Sequence, residues 1–236
     1  MNYKNFVIKI SSERNYLAFL LLIGGESKRF GEDKGLFKIK DKQLIEYQID
    51  VLKEFKYDIF LVAHSRHQIQ EYINNINYKD ITGFIIDELN EFFKQDIRSP
   101  MLGLYSSFKE LRKHSYQKGF AISCDMPFIQ LKVIEFLINK SFNYDCCIPI
   151  WKNKYIEPLF AIYPIKKGFY SARENLSKKK YKLTNLIKPN WKVNYISIEK
   201  TIKNFDQKLL TFININKKKD LEKISLDLKR KNKEKK

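Results

Sequence analysis

Eight apolar residues in a row, Tyr16-Leu17-Ala18-Phe19-Leu20-Leu21-Leu22-Ile23, stop at a glycine pair, Gly24-Gly25. The run is too short to span a bilayer. With no polar residue breaking it, it suits a central parallel strand covered on both faces. The polar loop after it carries Arg29 and delivers Lys34 at its end. Glycines let a backbone come close to oxygens and aim N–H groups at them, and two cations neutralise charge, so the segment has what a strand needs if it ends at a polyphosphate. Taken bare, Gly-Gly followed by charges is most often a strand-to-helix turn. The spacing matches neither the Walker loop nor the three-glycine dinucleotide fingerprint.

The rest of the chain alternates strand and helix patterns. Strands are expected at Asp58–Ala63, Gly83–Ile86, Phe120–Cys124, Asp145–Ile150, Ile156–Tyr163, Val193–Ile198 and Leu210–Ile215. Helices are expected over Asp41–Tyr57, Gln68–Tyr78, Pro100–Lys113, Leu131–Asn139, Lys166–Asn175 and Lys182–Ile187, with one more starting at Lys217. Such alternation predicts an α/β fold: a Rossmann-like, doubly wound, mostly parallel sheet with helices on both faces, in a single domain. Ligands in these sheets lie beyond the carboxyl ends of the strands. Gly24-Gly25, Asp87 and Asp125 all fall at such ends. The polar stretch Glu88–Ser99 reads as an active-site loop.

Composition limits the classes. The 236 residues are 44% hydrophobic and 14% aromatic, which fits one packed core. The net charge of +18 comes from lysines scattered along the chain, gathered only at the end. Scattered lysines read as solvated faces, and they also favour polyanionic ligands. Cys124, Cys146 and Cys147 offer no disulfide framework, and His64, His67 and His114 have no metal spacing. Neighbouring Cys146 and Cys147 should point to opposite faces of a strand. A cytoplasmic protein is expected. Lys4, Lys9 and Arg14 before the apolar run imitate a signal peptide, but cleavage there would discard the glycine-ended strand.

The string Gly-Gly-x-Ser-x-Arg-Phe-Gly-x-Asp-Lys, at residues 24–34, resembles the signature of nucleotidyltransferases, and within that superfamily the molybdenum cofactor guanylyltransferase family (MobA-like). Ile23 stands where the family has alanine, and Phe30 where it has methionine. A second motif, Cys124-Asp125-Met126-Pro127-Phe128, is similar to the family's Cys-Asp-x-Pro-Phe/Tyr. Ser99-Pro100-Met101-Leu102-Gly103 resembles its Gly-Pro-Leu-x-Gly element, with Ser99 in place of glycine. Pro158-Leu159-Phe160-Ala161 matches an acceptor-side strand, and Asn214-x-Asn216 followed by Asp220-Leu221 matches the closing motif.

The resemblance covers residues 16–228, the nucleotidyltransferase domain; residues 1–15, an arm or extra strand, and the lysine-rich tail 229–236 lie outside it. It implies transfer of GMP from GTP to the terminal phosphate of molybdopterin, releasing pyrophosphate. Lys34 and Arg29 would clamp phosphates, and Asp125 would hold Mg2+. Leu22, Ile23, Gly24, Gly25, Asp87, Pro100 and Gly103 would contact the nucleotide, and Asn214 and Asn216 the acceptor. GTP and molybdopterin or molybdenum cofactor are the implied partners, together with proteins that supply the cofactor or the molybdoenzymes that receive it. A membrane partner is not expected. Two alternatives stay open: a sister nucleotidyltransferase using another triphosphate such as CTP or another phosphorylated acceptor, and a lysine-rich nucleic-acid-binding protein.

Overall fold

The computed structural model describes residues 15–24, 33–39, 41–88, 98–215 and 220. Among the described residues nine strands run in chain order: β1 Leu17–Leu22, β2 Lys38–Ile39, β3 Lys42–Gln43, β4 Asp58–Ala63, β5 Gly83–Ile86, β6 Lys118–Ser123, β7 Cys146–Ile150, β8 Phe160–Pro164 and β9 Val193–Ser197. The α-helices described between them are α1 Leu44–Leu52, α2 Arg66–Asn75, α3 Pro100–Lys113, α4 Leu131–Ser141 and α5 Ile165–Ser177. β2 and β3 form a small antiparallel pair, and the other seven strands form one sheet in the order β5-β4-β1-β6-β8-β7-β9.

The apolar run is the middle of this sheet. β1 pairs in parallel with β4 and β6, and β4 pairs in parallel with β5. Leu17, Phe19, Leu21 and Ile23 face one apolar cluster, which α1, α2 and α4 close. Ala18, Leu20 and Leu22 face a second, closed by α3 and α5. A strand buried on both sides cannot afford a polar position, which is why the sequence there shows no alternation. Cys147 joins the first cluster and Cys146 the second, so the pair straddles the sheet as expected, and all three cysteines are free and buried.

β8 is the departure from parallel order. It runs antiparallel to β6 and to β7, while β7 and β9 are parallel. Ile156 makes only an isolated bridge to Ile150, so the expected strand from Ile156 is shortened to Phe160–Pro164. Residues 151–154 make the turn that lets β7 and β8 run back to back; Lys154 has φ 70 and its N–H donates to the Trp151 carbonyl at 2.9 Å.

Three local expectations are corrected. The pattern over Asp41–Tyr57 resolves into β3, α1 and a 3₁₀ turn, because the Gln43 N–H donates to the Glu46 carboxylate at 3.0 Å and starts the helix only at Leu44. Lys182–Ile187 is a single 3₁₀ turn, Leu183–Leu186. Leu210–Ile215 is not a strand: Leu210–Phe212 is a 3₁₀ turn. There the buried Asp206 carboxylate accepts from the Leu210 and Thr211 N–H groups at 2.9 and 2.8 Å. That capping consumes donors a strand would need for its ladder. The N-terminal arm up to residue 14, most of the Glu88–Ser99 loop, the helix expected from Lys217 apart from Asp220, and the lysine tail lie outside the described residues.

Candidate active site

Strand register builds one rim. Leu22 lies opposite Val62 and Ser123, and Val62 lies opposite Ile85. Two residues beyond that row come Gly24, His64, Asp87 and Asp125. Four adjacent strands therefore end at one level, on both sides of the point where the connections change direction. The chain leaves β1 towards β4 and β5, then returns through α3 to β6 on the other side of β1.

Gly24 packs against the end of β4. Its N–H and that of Ile23 both donate to the Val62 carbonyl, at 3.2 and 2.9 Å. A Cβ on Gly24 would lie 3.3 Å from the His64 nitrogen, so the close approach favours a residue with no side chain. Gly25 and Arg29 lie outside the described residues.

Lys34 opens a 3₁₀ turn, Lys34–Leu36, capped by Asp33, whose Oδ1 accepts from the Gly35 N–H at 3.1 Å. Asp125 sits on the turn after β6. The Cys124 N–H donates to the Leu22 carbonyl at 3.2 Å, and the fully buried Gln48 on α1 donates its amide to the Ser123 and Met126 carbonyls, both at 2.8 Å. Beneath these two segments a small apolar cluster joins Phe37, Ile39, Leu44 and Ile215, with Tyr47 and Phe128 packed against it. Phe37 is three residues past Lys34 and Phe128 three past Asp125, so the two segments share one floor. The Cys124 thiol between them is pushed well above its usual range by burial, further by the charges of Asp33 and Asp125, and drawn back by Lys34.

Asp87 follows β5. Its N–H donates to the Ala63 carbonyl at 2.8 Å, while its Oδ1 is buried with no hydrogen-bond partner. Burial raises its carboxyl to about 7. A Cβ on Gly103, in the first turn of α3, would lie 3.5 Å from that oxygen and 3.4 Å from Leu22 and Val62. Leu22, Asp87 and Gly103 therefore meet. Ser99, standing where glycine was expected, caps α3 by accepting from the Leu102 N–H at 3.3 Å, and Pro100 occupies the first turn.

Asn214 is exposed and follows the 3₁₀ turn rather than lying on a strand; Asn216 lies outside the described residues. Its segment does reach the site, because the Ile215 N–H donates to the Asp125 carbonyl at 2.8 Å.

Several residues here carried no role in the sequence reading. Gln48 and Gln68 are buried glutamines on the apolar stripes of α1 and α2, four residues from Leu44 and Tyr72. A polar residue on such a stripe is a legible signal, but its partner is not. Glu157 is the other. Its carboxyl is raised by burial and by the charge of Asp125, and it accepts from Trp151 Nε1 at 2.5 Å. Among the described residues no three His, Cys, Asp or Glu side chains gather as a metal cage. A cavity of about 460 Å³ between α4 and β9 holds no motif residue and lies away from the rim.

A protein-family model, the MobA-like NTP transferase domain, matches residues 19–193. The chain belongs to the MobA-like NTP transferase family. This MobA-like chain is therefore a nucleotidyltransferase. It is 34% identical over 206 residues to a protein of Pyrococcus horikoshii, spanning 85% of this chain and 95% of that one, and 31% identical over 205 residues to one of Natranaerobius thermophilus, spanning 86% and 92%. Both relatives are described as probable molybdenum cofactor guanylyltransferases. The fold is shared with the crystal structure of molybdopterin-guanine dinucleotide biosynthesis protein A from Archaeoglobus fulgidus, at TM-score 0.70 and 23% identity over 90% of this chain and 99% of that one.

Proposed function

We propose that this MobA-like enzyme transfers GMP from GTP to the terminal phosphate of molybdopterin and releases pyrophosphate, in the cytoplasm. The observation that carries the reading is the shared floor under Lys34 and Asp125, next to the close-packed Gly24. An oxygen of the acceptor phosphate attacks the α-phosphorus of GTP. The bond from that phosphorus to the bridging oxygen breaks, and the electron pair leaves with pyrophosphate. The attacking phosphate is already ionised at neutral pH, so no side chain has to remove a proton; a site without a histidine in its motifs suits this.

Lys34 places a compact positive charge where the leaving phosphates gain negative charge. Arg29, assigned from the motif alone, adds a second. The Asp125 carboxylate, on a turn pinned by Gln48, would hold Mg2+. A magnesium ion held there would supply positive charge against the triphosphate. Leu22, Asp87, Pro100 and Gly103 would receive the base. Guanine presents adjacent N–H donors, which would satisfy the unpaired Asp87 oxygen. Asn214 lies beside the Asp125 turn, where the acceptor must approach.

The test is a triphosphate panel with magnesium and molybdopterin, read as pyrophosphate release. GTP is expected to support turnover; faster turnover with CTP would make the chain a sister enzyme of other base choice. Lys34→Ala and Asp125→Ala should each lower turnover at least about tenfold, roughly 1.4 kcal/mol of transition-state stabilisation. Near-normal turnover in either would remove that residue from the mechanism.

A further inference from the structure

The turn that carries Lys34 is hung from helix α2. Both oxygens of Asp33 are engaged. Oδ1 accepts from the Gly35 N–H and, at 2.6 Å, from the Tyr72 hydroxyl; Oδ2 accepts from the Gln68 side-chain amide. The same amide donates to the Ile23 carbonyl at 2.9 Å, and its Oε1 accepts from the His64 N–H at 3.0 Å. One buried glutamine thus ties Ile23, which precedes the glycine pair, to Asp33, which precedes Lys34, and to the end of β4. Ser65 fixes the helix start by accepting from the Gln68 N–H at 3.2 Å.

Tyr72 is fully buried, so its hydroxyl has no water to exchange for Asp33. Gly35 sits directly on it; a Cβ at Gly35 would fall well inside contact distance of the hydroxyl oxygen. A lysine ammonium rides on a flexible four-carbon stem, so its placement depends on how well its own backbone is held. Holding a charged group in place is a large part of catalysis that relies on electrostatics, and an error of about 1 Å can cost about a hundredfold.

We propose that the Tyr72 hydroxyl is a positioning group for Lys34, acting through the Asp33 carboxylate. The proposal rests on the reading of Lys34 as a phosphate ligand. The network is more than a packing device because its last link is the cap of the very turn that begins with Lys34.

A double-mutant cycle tests it. Tyr72→Phe, Lys34→Ala and the double variant are compared in GTP turnover with magnesium and molybdopterin, and in GTP affinity by titration calorimetry. Tyr72→Phe keeps the ring and removes only the hydroxyl. It is expected to lower kcat/KM for GTP about fivefold to tenfold in the otherwise native chain, and less than about twofold when Lys34 is already alanine. If Tyr72→Phe folds poorly, Asp33→Ser, which retains a cap oxygen for Gly35 but loses the Tyr72 and Gln68 contacts together, is compared with Gln68→Met, which leaves Tyr72 on Asp33; a larger Lys34-dependent loss in Asp33→Ser supports the hydroxyl's role, and equal losses overturn it. Equal losses in both backgrounds, or no loss in the native one, overturn the positioning role. If Lys34→Ala alone keeps native turnover and affinity, the phosphate reading falls first, and this inference with it.

Discussion

A carboxyl group buried without a donor is an uncomfortable thing to fold. Asp87 is such a group, and its pKa of about 7 is set by burial alone. The direction of the consequence follows from linkage. The unfolded chain titrates Asp87 near 3.8, so the proton is bound more tightly when folded. Its contribution to stability is complete below that value and is lost as pH rises towards 7, at up to about 1.4 kcal/mol per pH unit. Asp50, Glu110 and Asp145 are held low by lysine partners and pull the other way. The comparison must therefore be against Asp87→Asn. Denaturant melts of the two chains should coincide near pH 4 and diverge towards pH 8, with the asparagine variant the more stable. Parallel curves would mean that the carboxylate finds a donor in solution. The same discomfort makes chemical sense at a binding site, because a nucleobase N–H would relieve it.

At the scale of elements, the two glutamines on helices hold the rim in shape. Gln48 pins the Asp125 turn by two carbonyls, and its own Oε1 is left without a partner. Gln48→Leu would remove that orphan but leave the Met126 carbonyl without a donor and the Ser123 carbonyl with the Met126 N–H alone, so a modest net loss of about 1 kcal/mol is expected in urea unfolding. A neutral result would mean that water replaces the amide. This also explains what could be read in advance. β1 was legible because its whole surface is buried, and Gly24, Asp87 and Asp125 were legible because strand ends follow from apolar runs. Lys34 was legible from the motif. Gln48, Gln68 and Tyr72 were not, since a side chain that hydrogen-bonds across 45 or 75 positions of sequence leaves no local pattern. The 3₁₀ turn at Leu210–Phe212 is hidden for a different, local reason. Its residues favour a strand, and a buried carboxylate four positions upstream takes their N–H groups.

The whole molecule adds a field. Its net charge is +18, and many of the described acidic side chains already serve lysines locally: Glu174 bridges Lys178 and Lys188, and Glu110 meets Lys113. Such exposed pairs contribute little to stability. The uncompensated remainder attracts any polyanion, and a triphosphate approaching the proposed site would benefit without a dedicated contact. Charge of this kind acts through solvent, so it is screened within about 8 Å at physiological salt. The GTP association rate in stopped flow should therefore fall several-fold, up to about tenfold, between roughly 50 and 500 mM salt, while guanosine, which has no phosphate, should show no slope. A flat response for GTP would assign recognition entirely to Lys34, Asp125 and their neighbours. Residues 229–236 hold six of the lysines and arginines and none of the motif residues. Removing them should leave turnover intact and only soften the salt slope. A loss of turnover on that deletion would place the tail in the chemistry, and a loss of RNA retention with turnover unchanged would give the lysines a separate nucleic-acid role.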